Sequence, residues 1–190
     1  MALLIIGIVV FLGVHLLPTH PSMRARLIGS LGENGYKVIF SVLSILGFML
    51  LVYGFAMAPI IQIWSPPTWM RHLAILLMLP AFIFLVAAYV PGRIKTALKH
   101  PMLAAIKIWA LAHLLANGDL AGMILFGSFL AYAVYDRIAL KGRQPSELVE
   151  TKGAGGPRND VIAVVLGVVF YVVFLIWLHP LLIGRVVVPI

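Results

Sequence analysis

Long apolar runs alternate with short polar stretches along this chain. The apolar runs cover residues 2–17, 38–58, 72–90, 101–116, 120–135 and 161–183. A helix of about 20 predominantly apolar residues crosses the hydrocarbon core of a bilayer. The pattern therefore predicts an all-α, polytopic membrane helix bundle of about six transmembrane helices. The fourth and fifth runs are short and predict a helical hairpin.

The composition supports a membrane protein. Hydrophobic residues make up 63% of the 190 positions and charged residues only 11%, whereas soluble domains average about 25% charged residues. We expect a single transmembrane domain over residues 1–190. The polar, glycine-rich residues 136–160 predict a linker between the fifth and sixth spans. Residues 24–31 predict a short amphipathic helix in the interface, and residues 32–35 a turn.

The basic residues are distributed unevenly between the predicted loops. The first, third and fifth loops hold three, three and five Lys and Arg residues, whereas the other loops and the termini hold only Arg71 and Arg185. Cytoplasmic loops carry an excess of Lys and Arg. The three basic loops, including the 136–160 linker, are therefore predicted to be cytoplasmic, with both termini outside. These charges act as topology signals and headgroup contacts, so the net charge of +8 does not indicate nucleic-acid binding.

Four histidines lie near the ends of predicted spans, where imidazoles could ligate a haem iron. His15 and His100 lie towards the cytoplasmic side, and His72 and His113 towards the outer side. Imidazole is a common axial ligand of haem, and ligands at similar depth would pair His72 with His113 or His15 with His100. Each histidine could instead contact headgroups or bond neighbouring helices.

A ladder of two haems on the fourth span is a weak interpretation. His100 and His113 are thirteen residues apart, which gives about 19.5 Å of rise but leaves the side chains roughly 140° apart around the helix. Lys107 is the other polar residue within this span. It could pair with a carboxylate, bind an anionic headgroup or line a polar substrate pocket, or it could extend to the membrane surface.

Three further features carry predictions. The chain has no cysteine, which excludes thiolate ligands, cysteine-ligated iron–sulfur clusters and covalent c-type haem. Asp119 directly precedes an apolar run and is predicted to cap the fifth helix. Small residues at interfaces let membrane helices approach closely, and the candidates are Gly7, Gly13, Gly47 and Gly54.

Four stretches resemble the NnrU family, bacterial multispanning membrane proteins associated with denitrification and nitrogen-oxide metabolism. The family in turn resembles the plant and cyanobacterial 15-cis-zeta-carotene isomerase, a haem b enzyme that isomerises a cis double bond of a linear carotene by a redox-dependent route. The resemblance implies that His15 and His113 are the axial haem ligands and that His100 is needed nearby. The stretches are FLGVHLL (residues 11–17), RARLIGSLGENGYKVIFSVLS (24–44), RHLAILLMLPAFIFLVAAYVPGRIK (71–95) and KHPMLAAIKIWALAHLLANGDLAGMILFGSFLAYAVYDR (99–137).

The resemblance implies an integral protein of the bacterial inner membrane that binds haem b and acts in nitrogen-oxide metabolism. Its partners would be the bilayer and a nitrogen oxide or a lipophilic small molecule. One alternative is a haem-dependent carotenoid cis-trans isomerase; another is a non-enzymatic accessory or scaffold protein without a cofactor. Isomerase or redox chemistry would depend on the haem.

The ligand pair that the resemblance implies conflicts with the predicted depths. Counted from the helix ends, His15 and His113 lie some 15 Å or more apart along the membrane normal. Tilted helices or the short hairpin would have to bring them together. The other pair that includes His113 would use His72.

Overall fold

The computed structural model describes residues 1–142, 155–184 and 187. These residues form an all-α membrane helix bundle, as predicted. A 3-10 turn, Leu17–Thr19, follows the first helix, and a π-helical turn, Phe174–Leu178, joins the last two. The α-helices are α1 (Ala2–Leu16), α2 (Pro21–Ala56), α3 (Thr68–Ala87), α4 (Arg93–Leu98), α5 (Pro101–Ala116), α6 (Leu120–Lys141), α7 (Pro157–Val173) and α8 (His179–Ile183).

Five helical segments of the described chain are long and apolar enough to cross a membrane. The fourth predicted span corresponds to α5, which has the predicted bounds and is a shorter apolar helix of 16 residues. The chain is therefore a multi-pass membrane protein. The five long segments are Ala2–Thr19, Pro21–Ala56, Thr68–Ala87, Leu120–Lys141 and Pro157–Ile183.

The predicted bounds differ from the structure mainly where polar residues continue a helix. The fifth span was predicted to end at residue 135, but α6 continues to Lys141 and has 22 residues. The helix continues because no glycine or proline occurs between Tyr135 and Gly142. At its other end, the predicted linker is helical from Pro157, since proline is favoured at the first helical position. Residues 143–154 of that linker lie outside the described residues. The predicted third loop contains the short helix Arg93–Leu98.

The helices divide between two compact units. The first comprises Met1–Pro67 and His113–Arg143, and the second comprises Thr68–Ala112 and Gln144–Ile190, as far as these ranges are described. The first unit therefore contains α1, α2, α6 and the last turn of α5. The second contains α3, α4, α7, α8 and the rest of α5.

Glycines hold α1 against α2 in the first unit. A Cβ atom added at Gly47 would lie 2.7 Å from the backbone nitrogen of Phe11, and one added at Gly7 or Gly54 would collide with the backbone of the opposite helix. Only glycine permits this backbone approach, which confirms the prediction for these three positions. Gly13 differs, since a Cβ there meets nothing within 4 Å.

A sharp bend interrupts α2 at Gly32, which has φ 72° and ψ 164°. Positive φ favours glycine because it has no Cβ. The guanidinium carbon of Arg24 consequently lies 5.7 Å from the ring centroid of Tyr36, although twelve residues of straight helix would separate them by about 18 Å. The predicted turn thus occurs at Gly32, the predicted short helix precedes it, and the second span begins directly after it.

In the second unit, α3 packs closely on α7. A Cβ at Gly167 would lie 2.6 Å from the Ile83 Cα atom. The hydroxyl of Tyr171 donates a hydrogen bond of 3.0 Å to the Ile75 carbonyl. Asp160, near the start of α7, accepts the Ile94 N–H at 3.0 Å and so ties α7 to α4. Close packing and buried polar contacts together order this unit.

The glycine contact between α1 and α2 can be tested with one pair of alanine substitutions. Alanine normally stabilises a helix relative to glycine by about 0.5–1 kcal/mol. At Gly47 the added methyl must overlap backbone, so we expect Gly47→Ala to destabilise the protein by about 1–3 kcal/mol. Gly13→Ala, the matched control, should leave thermal unfolding in detergent unchanged or slightly raised. Equal melting temperatures for the two variants would contradict the close approach.

Candidate functional site

His15 lies in the last turn of α1 with one ring nitrogen already engaged. Its Nδ1 atom lies 2.7 Å from the carbonyl oxygen of Phe11. A carbonyl only accepts, so Nδ1 carries the proton and donates it. In the neutral ring, Nε2 is then the atom with the lone pair, as an imidazole ligand of a metal requires. The side chain is half-buried.

Aromatic rings from three helices surround this imidazole. Its ring centroid lies 4.2 Å from that of Phe11 on α1, 5.3 Å from Phe40 on α2 and 6.4 Å from Tyr132 on α6. Such a wall is apolar and flat-sided. It suits a planar conjugated group better than a hydrated ion.

Three aromatic residues on α6 form what we call the aromatic stripe: Phe126, Phe129 and Tyr132. They are spaced three residues apart, so they form a strip that winds about 120° around the helix from Phe126 to Tyr132. Phe129 lies 5.8 Å from Phe11 of α1, and Phe126 lies 6.3 Å from Phe55 of α2, between ring centroids. The stripe thus joins α6 to both other long helices of the first unit.

His113 contacts Phe126, the first residue of the same stripe along the chain. Its ring stacks on Phe126, with centroids 4.5 Å apart and an interplanar angle of 26°. His15 contacts the stripe at Tyr132, six residues further along α6, which corresponds to about 9 Å of rise. Phe126 and Tyr132 are also roughly 120° apart around α6. Along α2, the residues that contact Phe126 and His15 are Phe55 and Phe40, fifteen residues apart. Both histidines therefore contact α6, and the separation of about 15 Å predicted from helix ends stays a prediction.

The other candidate residues belong to the second unit. His72 is exposed in the first turn of α3, and Lys107 is half-buried within α5. His100 is half-buried directly before α5, where its carbonyl accepts the N–H of Ala104 at 3.1 Å. The pairing of His72 with His113, the role of His100 and the role of Lys107 all stay predictions.

The described residues contain no cluster of three or more His, Cys, Asp or Glu side chains that could hold a metal ion. A haem iron needs fewer protein ligands, since one or two side chains complete its coordination.

Sequence reasoning missed the aromatic residues of this site. Phe126, Phe129 and Tyr132 recur at helical spacing in the fifth span, and Phe40 lies in the second. That periodicity was a usable signal, but aromatic residues are common in membrane helices and only the contacts with His15 and His113 distinguish these four.

The turn between α5 and α6 fixes the end of the helix that carries His113. The side-chain amide of Asn117 donates to the His113 carbonyl at 2.8 Å. The Gly118 carbonyl accepts from the backbone N–H groups of Ile63 at 2.8 Å and Trp64 at 3.2 Å. A Cβ at Gly118 would collide with the Trp64 carbonyl. The extended segment that precedes α3 is therefore hydrogen-bonded to the Asn-Gly-Asp turn and packs closely against it.

Asp119 caps α6 as predicted, because its Oδ1 atom accepts the Gly122 N–H at 2.8 Å. We expect Asp119→Ala to destabilise the protein by about 1 kcal/mol, since that N–H loses its partner. Asparagine is an equally good cap, so Asp119→Asn should retain most of the wild-type melting temperature. Equal losses for the two variants would show that the charge, and not the cap, matters here.

A comparison with protein-family models identifies one match. The model described as NnrU protein covers residues 3–187, nearly the whole chain. The chain therefore belongs to the NnrU family. No curated protein and no solved structure matches the chain significantly.

Proposed function

We propose that this NnrU-family protein binds one haem b within the bacterial inner membrane and acts in nitrogen-oxide metabolism. His15 and His113 are the proposed axial ligands. The observation that carries the proposal is the hydrogen bond from His15 Nδ1 to the Phe11 carbonyl. Histidines that bind metals almost always donate their other N–H to a carbonyl, carboxylate or water.

The surroundings of His15 fit a haem. The Phe11 carbonyl fixes the tautomer and the orientation of the ring, as the outer partner of a metal-binding histidine does. Phe40 and Tyr132 provide apolar area beside the imidazole. Such surroundings would limit the access of solvent to a bound haem.

His113 supplies the second ligand from a different helix. It contacts the aromatic stripe from α5, whereas His15 contacts it from α1, so the two imidazoles reach the stripe from separate helices. The hydrogen bond of Asn117 to the His113 carbonyl holds the end of that helix. When bound through both histidines, the haem would supply a one-electron redox centre.

The two alternatives from the sequence remain hypotheses with distinct outcomes. A carotenoid isomerase would carry both haem and a polyene, whose isomer composition would change on reduction. An accessory protein without a cofactor would purify colourless. An absorption spectrum of the purified protein, oxidised and reduced, separates the haem hypotheses from the third.

Histidine substitutions test the ligand pair. We expect wild-type protein to show a Soret band, and His15→Ala and His113→Ala each to lower haem content about tenfold or more, since losing even an outer partner costs 10–100-fold. His20→Ala is the matched control, because His20 is exposed and contacts Tyr135 at 3.2 Å outside the stripe. A wild-type protein without haem would overturn the proposal. Loss of haem in His20→Ala alone would overturn the ligand assignment.

We also propose that both termini face the periplasm. The concentration of Lys and Arg in the first, third and fifth predicted loops supports this arrangement. Gly7 lies against Leu51 and Gly54 against Leu4, so α1 and α2 are antiparallel and the basic residues between them lie at one membrane surface. The charged residues Glu33 and Lys37 lie between the bend at Gly32 and the uncharged part of α2, as expected at a cytoplasmic surface.

Cysteine labelling tests this orientation cleanly because the chain contains no native cysteine. Ser30 and Ser65 are both exposed, and they lie on the proposed cytoplasmic and periplasmic sides. A membrane-impermeant maleimide applied to intact spheroplasts should label Ser65→Cys and leave Ser30→Cys unlabelled until the cells are lysed. The reverse pattern would contradict the orientation.

A further inference from the structure

A notch beside the bend of α2 combines cationic side chains with a buried hydroxyl. It has a volume of about 180 Å³, several times the roughly 30 Å³ that one water occupies in the liquid. A group of several heavy atoms therefore fits. The lining residues are Pro18, Arg24, Tyr36, Lys37, Phe40 and Ser41.

The buried hydroxyl of Tyr36 makes this notch a candidate binding site. The side chain is only 8% exposed, and its hydroxyl is buried without a hydrogen-bond partner among the described residues. A buried hydroxyl without a partner is destabilising. A ligand that draws this hydroxyl towards the notch by a small shift of the ring, and accepts its hydrogen bond, would satisfy it.

The positively charged side chains of Arg24 and Lys37 at the notch favour an anionic ligand. Arg24 lies over the Tyr36 ring, and a guanidinium in that position can still direct N–H donors outward at an oxyanion. Lys37 pairs with Glu33 at 2.7 Å, but both side chains remain more than 60% exposed, so the lysine can also reach a ligand. With Arg26 nearby, the segment carries three basic residues and one acidic residue.

The position of the notch indicates a lipid as the source of the anion. The uncharged part of α2 begins directly after Lys37, and its first residues are largely exposed: Val38 is 62% exposed and Val42 is 49% exposed. A phosphate held at the notch would therefore place acyl chains along an apolar helix surface. Basic residues at the cytoplasmic end of a span attract anionic headgroups.

We propose that Arg24, Tyr36 and Lys37 bind the phosphodiester of an anionic phospholipid, with phosphatidylglycerol as the probe. The bend at Gly32 builds the site, because it brings Arg24 and Tyr36 together across twelve residues of sequence. This inference does not depend on the proposed haem.

The test uses the full chain, delipidated in detergent, with binding followed by native mass spectrometry and by thermal shift. Phosphatidylglycerol should bind and raise the melting temperature more than phosphatidylcholine with the same acyl chains. Arg24→Gln should weaken phosphatidylglycerol binding about tenfold, because a charge-assisted hydrogen bond is lost. Arg26→Gln, a charge-matched control outside the lining, should weaken it by no more than the roughly fivefold effect of removing one general surface charge.

Tyr36→Phe should change two measured quantities in opposite directions. It removes the unpaired hydroxyl, so the lipid-free protein should melt at a higher temperature while the shift caused by phosphatidylglycerol becomes smaller. Ser44→Ala is the matched control, since the Ser44 hydroxyl is also buried without a partner among the described residues but lies outside the notch. It should raise the melting temperature and leave the lipid shift unchanged.

Three results would overturn the proposal. Equal losses in Arg24→Gln and Arg26→Gln would show a diffuse charge effect. A full thermal shift with inorganic phosphate, at concentrations no higher than those of the lipid, would identify free phosphate as the ligand. Loss of the Soret band in Arg24→Gln with unchanged lipid binding would assign the notch to haem carboxylates. By contrast, a protein that binds the lipid but no haem would overturn only the haem proposal and would leave the lipid site intact.

Discussion

The backbone contact between α1 and α2 is the constraint on which the candidate site depends. Gly7, Gly47 and Gly54 let the two helices approach until a single methyl group would overlap backbone atoms. In a bilayer the lipid tails are as apolar as the helix surfaces, so close van der Waals packing, and not the hydrophobic effect, drives such association. The contact places Phe40 of α2 beside His15 of α1, and α6 then completes the aromatic wall.

Local chemistry explains why much of the fold could be predicted from the sequence. The bounds of α5 follow from Pro101, which is harmless at a first helical position, and from the Asn-Gly-Asp turn that ends it. Asp119 was identifiable as a cap because capping requires only a short polar side chain at a fixed offset. Likewise, three of the four predicted interface glycines pack as expected. Gly13 does not, because sequence spacing cannot show which face of α1 meets a neighbour.

The length of α6 and the aromatic stripe could not be predicted in the same way. Charged residues such as Asp136 and Arg137 interrupt an apolar run without interrupting a helix, so hydropathy ended the span six residues early. The depths of the histidines stay a prediction. Counting from helix ends assumes that all helices start at one plane, and the ring contacts show only that His15 meets Tyr132 and His113 meets Phe126.

The aromatic contacts also connect the two proposed sites of the first unit. The Phe40 ring centroid lies 5.3 Å from that of His15 and 6.0 Å from that of Tyr36, so one side chain contacts both the proposed haem ligand and the wall of the proposed lipid site. A headgroup that fixes Tyr36 would therefore limit the motion of Phe40, and through it the space open to the imidazole. Coupling through packed side chains requires such a shared element.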